Sequence, residues 1–327
     1  MTIEETAAFL SDRDELIISS HETPDADGIG AEYALACALL SKGKHVRVIN
    51  ADRKADAYAF MDPKGIIQNL DDVQLEKEDL SHTTAVLVDT NDMTYSGAVV
   101  DKILSKAREI LIIDHHEISK ESITKICSLP GLSSTCEIIY EIIKVMDYDI
   151  PEDVATSLFA GIVYDTGSFA YSKTGVGTFS AALDLVKRGA VPSHIHGALY
   201  ESSAVSALLL RKDTLSTLEL YSQNRIAIQT ITLQTLKETG STYHDAEGLI
   251  NVPLQTASIE ISILLKENEE GTLRCSLRSK GTINVAQIAQ SFRGGGHKSA
   301  AGFKSPYPLE MTKAKVLELV VAALTEH

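Results

Sequence analysis

Four short segments carry the residues whose types could do chemistry. They are His21-Glu22-Thr23-Pro24-Asp25-Ala26-Asp27-Gly28, then Asp89, then Asp114-His115-His116, then Asp165. Their donors are carboxylate oxygens and imidazole nitrogens, with no thiolate among them. That set suits a divalent cation such as Mn²⁺, with Mg²⁺, Co²⁺, Fe²⁺ and Zn²⁺ disfavoured rather than excluded. Asp25, Asp27, Asp89, Asp114 and Asp165 gathered in one crevice would repel one another, and two divalent cations balance them better than one. Taken singly, the segments have plainer readings. Asp27-Gly28 after Pro24 reads as a turn or helix cap, Asp89 as a cap, and Asp165-Thr166-Gly167 as a helix exit. The pair His115-His116 resists such a reading, because neighbours at a strand end point to opposite faces and two imidazoles rarely serve one packing need.

Positioning these residues requires strand ends that converge on one edge. Leu16-Ile17-Ile18 reads as a buried strand, Ala31 to Ser41 as a helix, and His45 to Ile49, Ala85 to Val88 and Ile110 to Ile113 as further strands. Short apolar runs alternating with helical patterns predict an α/β fold with a parallel sheet. Three of the four segments directly follow strands, and open α/β sheets bind ligands at the carboxyl ends of their strands. Val154, Ala155, Leu158, Phe159, Ile162 and Val163 repeat at helical spacing, which puts Asp165 just beyond a core helix. Phe179 to Arg188 continues helically and stops at Gly189. Residues 190–220 read as a helical connector. The expected organisation is therefore an N-terminal parallel-sheet domain over 1–189, the connector, and a smaller α/β domain with a mixed sheet over 221–327. In the latter, Arg225 to Ile231, Ile259 to Lys266 and Thr272 to Arg278 are strand-like, the last two joined by Asn268-Glu269-Glu270-Gly271 as a hairpin. Ile283 to Phe292 and Met311 to Leu324 have helical patterns.

A length of 327 residues, 44% of them hydrophobic and 23% charged, suits two compact domains and argues against disorder. No apolar run reaches the roughly 20 residues of a membrane helix, and the acidic N-terminus is unlike a secretory signal. Cys37, Cys127, Cys136 and Cys275 form no Cys-x-x-Cys pair, which fits reduced thiols and a cytoplasmic location. The net charge of −15 disfavours a grip on long nucleic acid. Gly271 to Leu309 departs from that average, with six basic residues and no acidic one, and could attract a small phosphorylated ligand. Within it, Gly294-Gly295-Gly296 lets a phosphate or sugar approach the backbone closely. Arg278 offers a planar fork for a terminal phosphate or base, and His297 a donor to the same phosphate. Arg274 and Lys298 read as solvated surface. His194-x-His196 lacks acidic neighbours and reads as helix surface. Ser133-Ser134-Thr135 beside Cys136 reads as a helix cap rather than a nucleophile.

The ordered segments His21-x-x-x-Asp25-x-Asp27, Asp89, Asp114-His115-His116 and Asp165 resemble the four motifs of the DHH phosphoesterases, over about Leu16 to Asp184. Gly294-Gly295-Gly296-His297 followed by Ala300-Ala301-Gly302 resembles the DHH-associated substrate-binding domain. Size and C-terminal signature are similar to the branch of nanoRNases, phosphoadenosine-phosphate phosphatases and phosphodiesterases of cyclic di-AMP and pApA. A RecJ exonuclease would need further DNA-binding modules. The resemblance implies that His21, Asp25 and Asp89 hold one metal ion. It gives Asp27, Asp89, His115 and Asp165 to a second ion, so that Asp89 bridges. It further implies that Asp114 orients a neighbouring histidine and that His116 contacts the scissile phosphate. A hydroxide shared by two ions, Mn²⁺ by preference, would then attack phosphorus in line, with Asp89, Asp114 and His116 as the catalytic set.

The expected activity is hydrolysis of very short oligonucleotides or linear dinucleotides such as pApA to mononucleotides. Cleavage of cyclic di-AMP and dephosphorylation of phosphoadenosine phosphate are the enzymic alternatives, and a nucleotide-binding sensor is the non-enzymic one. The expected substrate-binding residues are Arg278, Gly294, Gly295, Gly296 and His297. Long duplex nucleic acid and membranes are not expected partners, and a homodimer is allowed.

Overall fold

The computed structural model describes residues 1–75, 78–118, 125–246, 248–267, 272–281 and 283–325. The chain divides into two compact units, Met1–Ser202 and Ser203–His327.

In the first unit, six strands form one all-parallel sheet: β1 (Glu15–Ser19), β2 (His45–Asn50), β3 (Ile67–Asn69), β4 (Thr84–Val88), β5 (Glu109–Asp114) and β6 (Lys125–Ser128). Their order is β3-β2-β1-β4-β5-β6, so the chain direction across the sheet reverses between β1 and β4. Leu16 and Ile18 of β1, Val86 and Val88 of β4, and Leu111 and Ile113 of β5 join a core with five helices. These are α1 (Ile3–Ser11), α2 (Ala26–Ser41), α3 (Thr135–Val145), α4 (Glu152–Asp165) and α5 (Val176–Lys187). The intervening Ile17, Ala85, Leu87 and Ile112 enter a second core on the opposite face with Leu70, Val99 and Ile103. Strands buried on both faces read as unbroken apolar runs, which is why β1, β4 and β5 are legible without alternation. A sixth helix, α6 (Pro192–Tyr200), joins the same core through Ile195.

Three features depart from the sequence reading. Helix α2 starts at Ala26 rather than Ala31 and takes Asp27-Gly28 into its first turn. Every residue from Ala26 to Leu39 is buried, so no amphipathic period marks where this helix begins. Strands β3 and β6 are short and lack an apolar run, and Asp165 is the last residue of α4 rather than the first beyond it.

The division between Ser202 and Ser203 falls inside the stretch read as a connector, and each unit takes one of its helices. The second unit opens with α7 (Val205–Ser216) and contains the strands β7 (Glu219–Tyr221), β8 (Ile226–Ile231), β9 (Ile261–Glu267), β10 (Leu273–Ser279), β11 (Gly295–His297) and β12 (Ala300–Ser305). Their order is β11-β12-β10-β9-β8-β7, with β8 and β9 parallel and the other pairs antiparallel, so the sheet is mixed. The expected hairpin pairing of β9 with β10 is present, and its connecting residues Asn268 to Gly271 lie outside the described residues. Helices α8 (Leu233–Thr239), α9 (Val285–Gln290) and α10 (Leu309–Thr325) complete the unit. Leu273, Cys275 and Leu277 of β10 pack with Val285 and Ile288 of α9 and Val316 and Val320 of α10. Among the described residues, no helix is long and apolar enough to cross a membrane.

Close packing of α2 against α4 depends on missing side chains. A Cβ on Gly30 would lie 2.6 Å from the Ser157 carbonyl oxygen and 2.7 Å from the Cys136 sulfur, and one on Gly161 would overlap the same sulfur. Gly30→Val is therefore expected to destabilise the fold by about 1–3 kcal/mol through overpacking. Equilibrium urea unfolding reads this as a lower midpoint, and an unchanged midpoint contradicts the packing.

Candidate metal centre

The segments predicted to do chemistry meet at the carboxyl ends of β1, β4 and β5, where the strand order reverses. Asp25 caps α2, its Oδ1 accepting from the backbone N–H groups of Asp27 at 2.9 Å and Gly28 at 3.2 Å. The same carboxylate forms a cluster with His21 and Asp89, so the cap and ligand readings of this segment hold together. His21 Nδ1 donates to the Glu22 carbonyl at 2.6 Å, which leaves Nε2 to face Asp89 Oδ2 at 3.5 Å. Asp89 follows β4 directly and adopts a left-handed backbone with φ 61°, a conformation Asp tolerates better than most residues. Its N–H donates to the Ile113 carbonyl at 3.0 Å, tying the turn to β5.

A second cluster joins Asp27, His115 and Asp165. His115 Nε2 lies 3.3 Å from Asp165 Oδ2, 3.8 Å from Asp89 Oδ1 and 3.9 Å from Asp27 Oδ2. The carboxylate of Asp27 has no solvent exposure and accepts two backbone N–H groups from the start of α3, Thr135 at 2.7 Å and Cys136 at 2.8 Å. The positive end of a helix thus faces a buried anion. His116, whose ring centroid lies 4.2 Å from that of His115, groups with Asp89, Asp114 and His115: its Nδ1 donates to Asp114 Oδ1 at 2.7 Å, and the buried Asp114 also accepts from Asn91 Nδ2 at 2.7 Å. Every N-terminal residue singled out for the site is therefore brought to this edge. His194 and His196 are exposed on α6 and belong to none of these clusters.

Sequence reasoning passed over three participants. Thr135 donates its hydroxyl to Asp89 Oδ1 at 2.9 Å. It was legible only as part of a helix cap, a role that Ser134 fills by accepting from the Glu137 N–H at 3.0 Å. Asn91 and Lys173, whose Nζ donates to the His115 carbonyl at 3.2 Å, lie in loops with no distinguishing pattern.

The electrostatics follow from burial and crowding. Burial, reinforced by Asp89, Asp165 and Asp25, pushes the Asp27 carboxyl well above its usual range. Burial with Asp25 and Asp165 does the same to Asp89, and burial with Asp25 raises Asp165 to about 6. Burial pushes His115 down to about 3, which keeps its imidazole neutral. Its ring nitrogens make no hydrogen bond. A neutral imidazole with an unused nitrogen facing three carboxylates fits a bound cation. Two oxygens or nitrogens each about 2.1 Å from one ion stand about 3.0 Å apart in cis and about 4.2 Å in trans, a range that contains the three His115 distances. The hydrogen bond from His116 to Asp114 instead raises the His116 imidazole above its ordinary value.

The candidate substrate-binding residues lie together in the second unit. Arg278 of β10 and His297 of β11 both pair with Ala300 of the intervening β12, which places them on one face of the sheet on either side of a small side chain. Leu273, Cys275, Leu277 and Ser279 are buried, so Arg278 takes the other face, and no carboxylate within the described residues pairs with it. The glycine run has a partly different cause from the one expected. A Cβ on Gly294 would overlap the Gly302 carbonyl oxygen, and one on Gly296, where φ is 139°, would overlap that of Ala300. Close approach of β12 explains both, and only Gly295 faces open space.

Comparison with known proteins bears on this arrangement. The model of the DHH family, N-terminal domain, matches residues 15–162, and the DHHA1 domain model matches residues 224–326. The chain belongs to the DHH family. It is 28% identical over 319 residues to the cyclic-di-AMP phosphodiesterase GdpP of Bacillus subtilis, covering 90% of this DHH chain but 45% of that protein. It is also 28% identical over 305 residues to the bifunctional oligoribonuclease and PAP phosphatase NrnA of Mycoplasma genitalium, covering 92% of each. The crystal structure of an exopolyphosphatase-related protein from Bacteroides fragilis superposes with a TM-score of 0.88 at 26% identity, over 99% of this chain and 95% of that one. This DHH chain thus spans less than half the length of one relative and nearly all of another.

Beneath the centre, Glu32 of α2 is fully buried. Its Oε2 accepts from Asn50 Nδ2 at 2.9 Å, its Oε1 has no partner, and Asn50 Oδ1 accepts from the Ser20 N–H at 3.2 Å. Burial pushes the Glu32 carboxyl up to about 7. A folded value above the unfolded one means that below the ordinary glutamate range both states hold the proton and no penalty arises. As pH rises from that range towards 7, the unfolded chain releases this proton while the folded state keeps it, so stability is lost across that window and the full penalty remains above it. With a chelator present, Glu32→Gln is expected to raise the unfolding midpoint relative to the parent at pH 8 and to change it little at pH 4.5. An equal effect at both pH values would contradict a buried, titrating Glu32.

Proposed function

We propose that this chain is a phosphodiesterase dependent on two divalent cations, Mn²⁺ by preference, that hydrolyses very short oligonucleotides or linear dinucleotides such as pApA to mononucleotides. The observation that carries this reading is the set of overlapping carboxylate–histidine clusters around Asp89, one oxygen of which faces His21 and the other His115. The near-complete overlap with the NrnA relative supports the short-oligonucleotide substrate class. His21, Asp25 and Asp89 would hold one ion, and Asp27, Asp89, His115 and Asp165 the other. Bound there, the ions would supply Lewis acidity to the phosphoryl group and lower the pKa of attacking water.

The remaining roles belong to the chain's own groups. Asp114 keeps Nδ1 of His116 engaged and favours the imidazolium, so Nε2 carries the N–H that would neutralise charge gathering on a phosphoryl oxygen. Arg278, His297 and the backbone at Gly294, Gly295 and Gly296 would bind the nucleotide, Arg278 as a cation that donates to the Leu277 carbonyl at 3.3 Å and has no carboxylate partner among the described residues. The small positive surface within an acidic chain favours a short anion over long duplex nucleic acid. A cytoplasmic location and a homodimer are compatible with this reading. Cyclic di-AMP cleavage and phosphoadenosine-phosphate hydrolysis are second readings, supported by the names of the relatives.

The deciding experiment gives purified protein and Mn²⁺ equal concentrations of pApA, cyclic di-AMP and phosphoadenosine phosphate and identifies the products. AMP from pApA with little ring opening is expected. Efficient ring opening would move the assignment to cyclic di-AMP, and no turnover of any of the three would refute the proposal. Asp89→Ala is expected to abolish turnover. Arg278→Ala removes charge-assisted hydrogen bonds of about 1.5–3 kcal/mol, which should raise KM about tenfold or more with kcat nearly unchanged. Equal kcat losses in both variants with unchanged KM would refute this division of labour.

A further inference from the structure

Thr135 touches the centre twice. Its backbone N–H donates to Asp27 Oδ2 at 2.7 Å, and its side-chain hydroxyl donates to Asp89 Oδ1 at 2.9 Å. These two oxygens are the ones His115 Nε2 faces, at 3.9 Å and 3.8 Å. The opposite oxygen of Asp89, Oδ2, faces His21. Thr135, Asp27, Asp89 and His115 are all buried, so no bulk water can take over these hydrogen bonds.

We infer that Thr135 is a positioning residue for the His115 side of the centre, setting which lone pairs of Asp27 and Asp89 are left for the ion held there. The inference rests on the two-cation reading above. Three physical points support it. A carboxylate oxygen that accepts one hydrogen bond keeps a lone pair in a defined direction, so the donor orients the ligand. A β-branched side chain has restricted χ1 rotation, and the hydrogen bond to Asp89 selects among the few rotamers open to Thr, which holds the hydroxyl in place. The backbone of Thr135 is itself held by α3, whose first turn is closed by the Ser134 cap and by Glu137, which accepts from the Ser133 N–H at 3.0 Å. The rigidity of one helix start is thereby passed to two carboxylates.

The two contacts also predict which changes matter. Substitution at 135 leaves the N–H to Asp27 in place, so Thr135→Val, of nearly the same shape, removes only the hydrogen bond to Asp89 Oδ1. Thr135→Ser keeps the hydroxyl and loses the stiffness.

The test is calorimetric titration of the full chain with Mn²⁺ alone, comparing the parent, Thr135→Val and Thr135→Ser, with thermal unfolding under chelator to verify that each variant folds. The expected result is that Thr135→Val weakens one of two ions about 10–100-fold, the range seen when a hydrogen bond to a metal ligand is lost, while the other ion binds as in the parent. Thr135→Ser should return most of that affinity. Unchanged binding of both ions by Thr135→Val overturns the inference. So does an equal weakening of both ions that Thr135→Ser does not restore, because that is the signature of a general structural role. Failure of the parent to bind Mn²⁺ would instead defeat the two-cation reading, which keeps the two failures distinct.

Discussion

Asp27 and Asp89 are carboxylates almost without access to water, set near each other and within the field of Asp25 and Asp165. Placing like charges together in a medium of low dielectric is costly unless donors and cations compensate. The surrounding architecture supplies the donors. Helix α3 begins against Asp27 so that its first N–H groups point at the carboxylate, and Thr135 at that helix start serves Asp89. Helices α2 and α4 meet through Gly30 and Gly161 closely enough to bring Asp27 and Asp165 to one point from opposite ends of two helices. The parallel sheet contributes strand ends of fixed spacing, and the reversal of strand order between β1 and β4 opens the crevice where they converge.

The second unit solves the opposite electrostatic problem. Its sheet presents Arg278 and His297 across a single alanine, with no carboxylate among the described residues paired to the guanidinium. A half-buried cation that meets only a backbone carbonyl is disfavoured by desolvation, which lowers the Arg278 pKa. A phosphate would relieve that cost. One unit thus holds an excess of buried negative charge and the other a half-buried positive one.

How far such features can be read from a sequence depends on their range. β1, β4 and β5 were legible because burial on both faces makes an apolar run that survives any tertiary context. The edge strands β3, β6, β7 and β11 were not, since short strands paired on one side carry little pattern of their own. The start of α2 escaped because a helix buried all round has no amphipathic face to show. Asn91 and Lys173 act through positions in loops, where neither spacing nor periodicity marks a residue as near the centre.

The sequence by itself determined the donor set, its order along the chain, the strands that bring three of its four segments to one edge, and the acid-free stretch of the second unit. These are properties of residue type and short-range pattern. Only the tertiary structure decided which oxygen faces which histidine, that His115 is left neutral and without a hydrogen-bond partner, that Thr135 serves two carboxylates, and that Gly294 and Gly296 are required by a neighbouring strand. Apart from the glycine contacts, these join groups far apart in the chain, in some pairs by more than a hundred residues. Such pairings arise from packing at distances of a few ångström, which no local pattern encodes.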